Sequence, residues 1–244
     1  MRRRILISLF SVLFILGYSF NLVGAGFQDL LKGAQKAFGT SDSISESEII
    51  KGLKEALEVG SAKAVDLVSK PDGYYKNADI KIPLPESVQK VGKLLRGAGF
   101  GEKVDAFELS MNRAAEQAAP EAKSIFWDAI KKMDIGEARK ILNGRDDEAT
   151  LYFKDKTYQR LEQSFKPIVE NSMGEVGVTR AYQDLSEKVE AIPFAGGLSF
   201  DLDQYVTEGA LNGLFKMLAE EEKKIRSDPA ARVTDLLRKV FGDK

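Results

Sequence analysis

The stretch Val104 to Ala119, with the sequence VDAFELSMNRAAEQAA, indicates the fold class, and Pro120 follows it directly. Its apolar residues recur at the three- and four-residue spacings of one helical face. They are Val104, Phe107, Met111, Ala114, Ala115 and Ala118. Because several of them are small alanines, neighbouring helices can approach this face closely. We therefore expect a helix that other helices surround.

Three polar residues lie at the edge of this face. Glu108 borders the apolar stripe, Asn112 follows one turn later, and Arg113 is its neighbour. A carboxylate near a core needs a partner, because an unpaired buried charge is costly. We therefore predict that Glu108, Asn112 and Arg113 belong to a ligand or partner site.

The most distinctive loop is Asp72 to Pro85, with the sequence DGYYKNADIKIPLP. Polar and apolar residues alternate in its second half, which predicts a short extended piece, and its two prolines exclude a sheet interior. The adjacent tyrosines could line a ligand-facing rim. Alternatively, both rings cap the helical core while their hydroxyls reach solvent. The candidate site residues of this loop are Asp72, Tyr74, Tyr75, Lys76 and Asp79.

Helix signals recur along the rest of the chain. Ser45 and Glu48 form a capping box at a helix start, and Asp134 is a further N-cap. Pro167 should kink a helix or begin a new one. About ten helical patterns and no convincing strand pair predict an all-α fold, a single compact multi-helix domain.

Two glycines lie four residues apart in the last long helix pattern. Gly209 and Gly213 each weaken a helix unless a neighbouring element packs closely against them. We therefore expect a close approach of another segment at these two positions.

The first 25 residues are typical of a secretory signal peptide. Arg2 to Arg4 are basic, Ile5 to Phe20 are almost wholly apolar, and Val23 to Ala25 suit a cleavage site. We expect cleavage after Ala25, a periplasmic location and no stable membrane span afterwards. The alternative is an uncleaved N-terminal anchor, since the apolar run is just long enough to span a bilayer. The predicted division is 1–25 signal peptide, 26–44 short helix and linker, and 45–244 all-helical domain.

The composition excludes several chemistries. The 244-residue chain is 43% hydrophobic and 30% charged, which suits one globular core, and it contains neither Cys nor His. Thiol nucleophiles, disulfides, Ser-His-Asp triads and histidine-ligated metals are therefore impossible. The net charge is -1 and no basic patch stands out, so we expect no nucleic-acid partner. We predict no cofactor.

An acidic triple, Asp146-Asp147-Glu148, precedes an apolar run. Three carboxylates could ligate a hard metal ion. We interpret them instead as the charged N-terminus of a helix, where acidic residues complement the helix dipole. We therefore predict no metal site.

Four stretches of the sequence carry a resemblance to a known family. They are Asp72 to Tyr75 with Ile80 to Pro85, Phe107 to Glu116, Tyr152-Phe153, and Tyr205 to Phe241. On these residues the chain resembles an uncharacterised bacterial secreted family, the domain of unknown function 4197, over nearly all of the mature chain. The resemblance implies a helical envelope protein of Gram-negative bacteria. It implies no activity and transfers no catalytic residues.

Three functions remain open. We favour a non-enzymatic module of the cell envelope that binds an unknown envelope protein or an apolar small molecule between helices. The first alternative is a glycan-cleaving hydrolase that uses Glu108, which needs a second carboxylate across the scissile bond. Glu116 is roughly 12 Å along the helix, and Asp105 faces aside. The second alternative is a structural or assembly protein of the envelope.

Overall fold

Helices dominate the residues that the computed structural model describes, which are 45–97, 99–175 and 201–228. Seven α-helices and one 3-10 helix lie in this part of the chain, with no strand. The α-helices are α1 (Glu46–Ser69), α2 (Glu86–Gly97), α3 (Gly101–Ala118), α4 (Ala122–Lys132), α5 (Ile135–Asn143), α6 (Glu148–Glu175) and α7 (Leu202–Ser227). The 3-10 helix Ala119–Glu121 joins α3 to α4.

The all-α prediction is confirmed, with fewer helices in the described residues than the ten or so expected. The predicted signal peptide, the linker to residue 44, and the helical patterns in 176–200 and after 228 lie outside these residues. In the parts that are described, we find no helix long and apolar enough to cross a membrane.

Helices α1, α3, α6 and α7 form the centre of the fold, with α6 against α7 as the largest contact. The predicted face of α3 is buried, and Met111, Ala114, Ala115 and Ala118 have no exposed surface. The small alanines let α1, α6 and α7 all contact this helix. The interpretation of α3 as a helix surrounded by others is therefore confirmed.

A local signal sets a helix boundary at Asp134 but does not set one at Pro167. Asp134 accepts a hydrogen bond from the Glu137 backbone (2.8 Å), and Glu137 accepts one in return, so the predicted cap is a capping box. By contrast, α6 continues through Pro167 to Glu175, so the expectation of a new helix there is wrong. Phe165 and Val169 are fully buried on either side, and this packing outweighs the hydrogen bond that proline removes.

The segment Asp72 to Pro85, here called the tyrosine loop, lies between α3 and α7. A Cβ at Gly213 would lie 2.5 Å from Tyr74 Cε1, and one at Gly209 would lie 3.1 Å from Ile82 Cδ1. The predicted close approach to this glycine pair is confirmed, and the tyrosine loop is the element that makes it.

Candidate functional site

Helix α3 holds the tyrosine loop through four polar side chains. Glu108, Asn112 and Glu116 are spaced four residues apart and therefore lie on one helical face, with Arg113 beside them. Each of the four bonds to a residue of the loop. The sequence singled out three of them and missed Glu116 as a site residue.

Asn112 is fully buried and pairs with the backbone of Ile82 as a neighbouring strand would. Its Oδ1 accepts from Ile82 N (2.8 Å), and its Nδ2 donates to Ile82 O (2.9 Å). Buried backbone groups need partners, and this extended loop has no strand beside it to supply them. The side chain of Asn112 therefore fixes the position of Ile82.

Glu116 is 4% exposed and ties the start of the loop to α3. Its Oε1 accepts from Tyr74 N (3.1 Å) and from Tyr75 N (3.3 Å), and its Oε2 accepts from Arg113 (2.5 Å). A buried carboxylate is tolerated here because a cation and two N–H groups satisfy it. The available sequence signal was its position, four residues after Asn112 on the same face.

Arg113 also bonds Asp72 Oδ1 (2.6 Å), and Lys76 bonds Asp72 Oδ2 (2.7 Å). Hydrogen bonds from Lys76 and then Arg113 hold the pKa of the Asp72 carboxyl below its ordinary value. Asp72 has a φ of 67°, a left-handed conformation that few residues other than glycine adopt. The two cations therefore secure a sharp change of chain direction after α1.

The two tyrosines have different environments. Tyr74 is fully buried, and its hydroxyl donates to Ala210 O (2.6 Å) on α7. Burial raises its pKa well above the ordinary value. The idea that both hydroxyls reach solvent is thus wrong for Tyr74, which is a core residue. Tyr75 is half-buried, and Lys81 Nζ lies 4.7 Å from the centre of its ring.

Glu108 is 17% exposed and pairs with Lys81 (3.0 Å). The two carboxylates that a hydrolase could place opposite it are engaged elsewhere. Glu116 pairs with Arg113, and Asp105 pairs with Arg96 (2.6 Å). The geometry therefore gives the hydrolase hypothesis no second carboxylate from these candidates.

An open groove of about 340 Å³ runs between the extended half of the loop and α7. Its floor includes Ile80 and Ile82, and Asp79 at one end pairs with Lys216 (3.1 Å). At the other end the Tyr205 hydroxyl donates to Pro83 O (3.0 Å). The remaining lining residues are Lys81, Glu208, Gly209, Asn212 and Gly213.

The structure divides the eight predicted site residues between two environments. Seven form the ties between the loop and α3 or lie beside them, namely Asp72, Tyr74, Tyr75, Lys76, Glu108, Asn112 and Arg113. Only Asp79 lines the groove. Among the groove residues of α7, Gly209 and Gly213 carried a sequence signal as a place of close approach, whereas the polar ones carried none, because only the fold brings them against the loop.

Comparison with known proteins identifies the family of the chain. The model of the family described as Protein of unknown function (DUF4197) matches residues 43–242, which include the tyrosine loop, α3 and the groove. The resemblance inferred from the sequence is therefore confirmed. No curated protein and no solved structure matches the chain.

Proposed function

Because the chain belongs to the DUF4197 family, whose description assigns no function, we propose a function from the geometry of the site. The protein is a non-enzymatic binding module of the cell envelope, and the groove between the tyrosine loop and α7 is its ligand site. The observation that carries this proposal is the open groove of about 340 Å³, in which isoleucine side chains lie beside charged and polar ones. Small-molecule sites likewise combine apolar surface with a few placed polar groups.

The ties to α3 support a binding role because they fix one wall of the groove. Asn112 holds Ile82, and Glu116 holds Tyr74 and Tyr75. A wall fixed before the ligand arrives lowers the entropic cost of binding. The buried polar residues thus have a structural task that serves the groove, and none of them needs a catalytic role.

The envelope location rests on the N-terminal pattern of a basic start, an apolar run and small residues at Val23 to Ala25. Export with cleavage after Ala25 places the mature protein in the periplasm of a Gram-negative bacterium. An N-terminal anchor would leave the same groove at the membrane surface.

Native mass spectrometry tests the proposal on protein expressed with its own N-terminus and purified without denaturation. We expect an extra mass that survives gentle ionisation and is lost on acid unfolding. Asn212→Trp fills the groove from an exposed position of α7 and should abolish the extra mass. Lys223→Trp adds the same side chain at an exposed position outside the groove and should retain it.

Two results would contradict this function. Wild-type protein that carries no extra mass, alone or after incubation with an envelope extract, would remove the ligand-binding role. An extra mass retained by Asn212→Trp would place the ligand elsewhere. The protein mass in the same spectra also reports whether residues 1–25 are removed.

A further inference from the structure

We propose that the groove binds a linear aliphatic polyamine, with one protonated amine against Glu208 and its carbon chain over Ile80 and Ile82. This inference rests on the proposed function, because it takes the groove as the binding site. It names the chemical class of ligand from the charges and hydrogen-bond acceptors that the groove presents.

The first argument is the uncompensated negative charge at one end of the groove. Gln204 Nε2 donates to Glu208 (2.8 Å) and to Glu162 (2.9 Å), so two carboxylates share one neutral amide. Within the described residues, neither carboxylate forms an ion pair with Lys or Arg. The pKa of Tyr158 is raised mainly by burial and, to a smaller extent, by the negative charges of the same two carboxylates.

The second argument is that the two lysines of the groove already have partners. Lys216 Nζ bonds both the backbone oxygen of Asp79 (3.0 Å) and its carboxylate (3.1 Å). Lys81 bonds Glu108 (3.0 Å) and lies over the Tyr75 ring. The charge that the groove offers to a ligand is therefore negative, and it complements a cation.

The third argument concerns the loop backbone along the groove. In an extended chain, the N–H and C=O of one residue point one way and those of its neighbours point the other way. Ile82 turns both groups to α3, so the carbonyls of Lys81 and Pro83 face α7. The bond from Tyr205 to Pro83 O agrees with this direction. Lys81 N donates to Asn77 O, and proline has no N–H, so this edge presents acceptors alone.

The length of the groove favours a chain with a cation at each end. Glu208 lies eight residues before Lys216, which holds Asp79, and this separation is about 12 Å along the helix. Glu208 therefore lies near one end of the isoleucine floor, and at the other end a second ammonium group of the ligand would compete with Lys216 for Asp79. An extended polyamine has the same order of groups, because methylene chains separate its ammonium groups.

Isothermal titration calorimetry with spermidine at low ionic strength tests the inference. We expect binding to the wild-type protein and about tenfold weaker binding to Glu208→Gln, the size of one charge-assisted hydrogen bond. Glu220→Gln removes the same charge from α7 outside the groove and should bind as the wild type does. Lys216→Gln removes a competing cation and should bind several-fold more tightly.

The remaining outcomes overturn the inference in distinguishable ways. Equal binding by the wild type and Asn212→Trp would show that spermidine binds outside the groove. Equal weakening by Glu208→Gln and Glu220→Gln would show attraction to net charge alone. If spermidine does not bind, yet Asn212→Trp still removes a co-purified mass, the groove remains the site and the polyamine class is wrong.

Discussion

Two buried glutamates, Glu116 on α3 and Glu222 on α7, use the same chemistry for different purposes. Glu116 accepts from the backbone N–H groups of two loop residues and from Arg113, three residues before it. Glu222 accepts from the N–H groups of Ala149 and Thr150 and from Arg226, four residues after it. Each site therefore satisfies a carboxylate with two amides and one guanidinium, and Glu222 also accepts from the Thr150 hydroxyl (2.9 Å).

The elements that the two glutamates join are different. Ala149 and Thr150 lie in the first turn of α6, so Glu222 caps a helix and meets the positive end of its dipole. Arg226 also donates to Ile141 O near the end of α5, and the site borders a small cavity of about 30 Å³. Glu222 ties helices together, whereas Glu116 shapes the loop that forms the groove. The local chemistry alone does not assign a functional role.

The largest expected effect separates these two roles. Glu222→Gln removes the charge that pairs with Arg226, which is 13% exposed, and it weakens the cap of α6. Breaking a buried ion pair from one side is strongly destabilising. We expect a loss of about 3 kcal/mol in the free energy of unfolding, measured by urea denaturation. Ligand binding at a temperature where the variant is folded should equal that of the wild type.

Glu116→Gln should have a smaller effect on stability and a larger effect on the groove. Arg113 is 34% exposed and keeps its bond to Asp72, so the remaining charge stays partly hydrated and paired. We expect a loss of about 2 kcal/mol in unfolding free energy together with weaker ligand binding. A variant that loses stability but binds normally would contradict the role of Glu116 in shaping the groove.

A pair of glycines sharpens the comparison further. A Cβ at Gly213, where α7 packs against the tyrosine loop, would lie 2.5 Å from a ring carbon of the fully buried Tyr74. A Cβ at Gly60, near Glu222, would lie 3.0 Å from the flexible end of Ile225, and both residues line the small cavity. An added methyl group at Gly213 fits only if the Tyr74 ring moves, whereas one at Gly60 fits if the end of Ile225 shifts into the adjacent cavity.

Gly213→Ala should therefore be destabilised by about 1 kcal/mol, since overpacking exceeds the helix propensity that alanine adds. Gly60→Ala should have nearly the stability of the wild type, because the same gain in propensity offsets a small shift of Ile225. Thermal unfolding of the two variants checks both values. Equal losses would mean that the loop region is no more tightly packed than the Glu222 region.

Much of the fold was predictable because its signals are local. The apolar period of α3, the capping box at Asp134 and the spacing of Gly209 and Gly213 each depend on residues within a few turns. The element that packs against the two glycines was not predictable, because nothing local relates α7 to a loop more than 120 residues earlier.

The candidate site was predictable only in part for the same reason. Asn112 could be singled out as a polar residue beside an apolar face, but its partner Ile82 lies 30 residues away. Tyr74 and Tyr75 are adjacent in an irregular loop, where no period separates a buried ring from a half-exposed one. The pairing of Glu222 with Ala149 spans 73 residues and leaves no local pattern.

The smallest expected effect is a pH dependence of stability that arises from Asp72 in the tyrosine loop. The hydrogen bonds from Lys76 and Arg113 lower the pKa of Asp72, so the folded state binds its proton more weakly than the unfolded state does. This contribution to stability is complete above about pH 4, the ordinary aspartate value, and is lost as the pH falls through the lower folded value.

Asp72→Asn removes this titration and should unfold with a smaller loss of urea midpoint between pH 7 and pH 3 than the wild type. The effect is small because Asp72 and Lys76 are partly hydrated, and solvent screens their attraction. Glu148→Gln is a control close to Glu222, since the bond from Lys140 likewise lowers the pKa of a half-buried carboxyl at the start of α6. If acid weakens ligand binding in the wild type and in Glu148→Gln but not in Asp72→Asn, the loop ties control the groove. If acid weakens ligand binding equally in all three proteins, ligand binding in the groove does not depend on the bonds of Asp72.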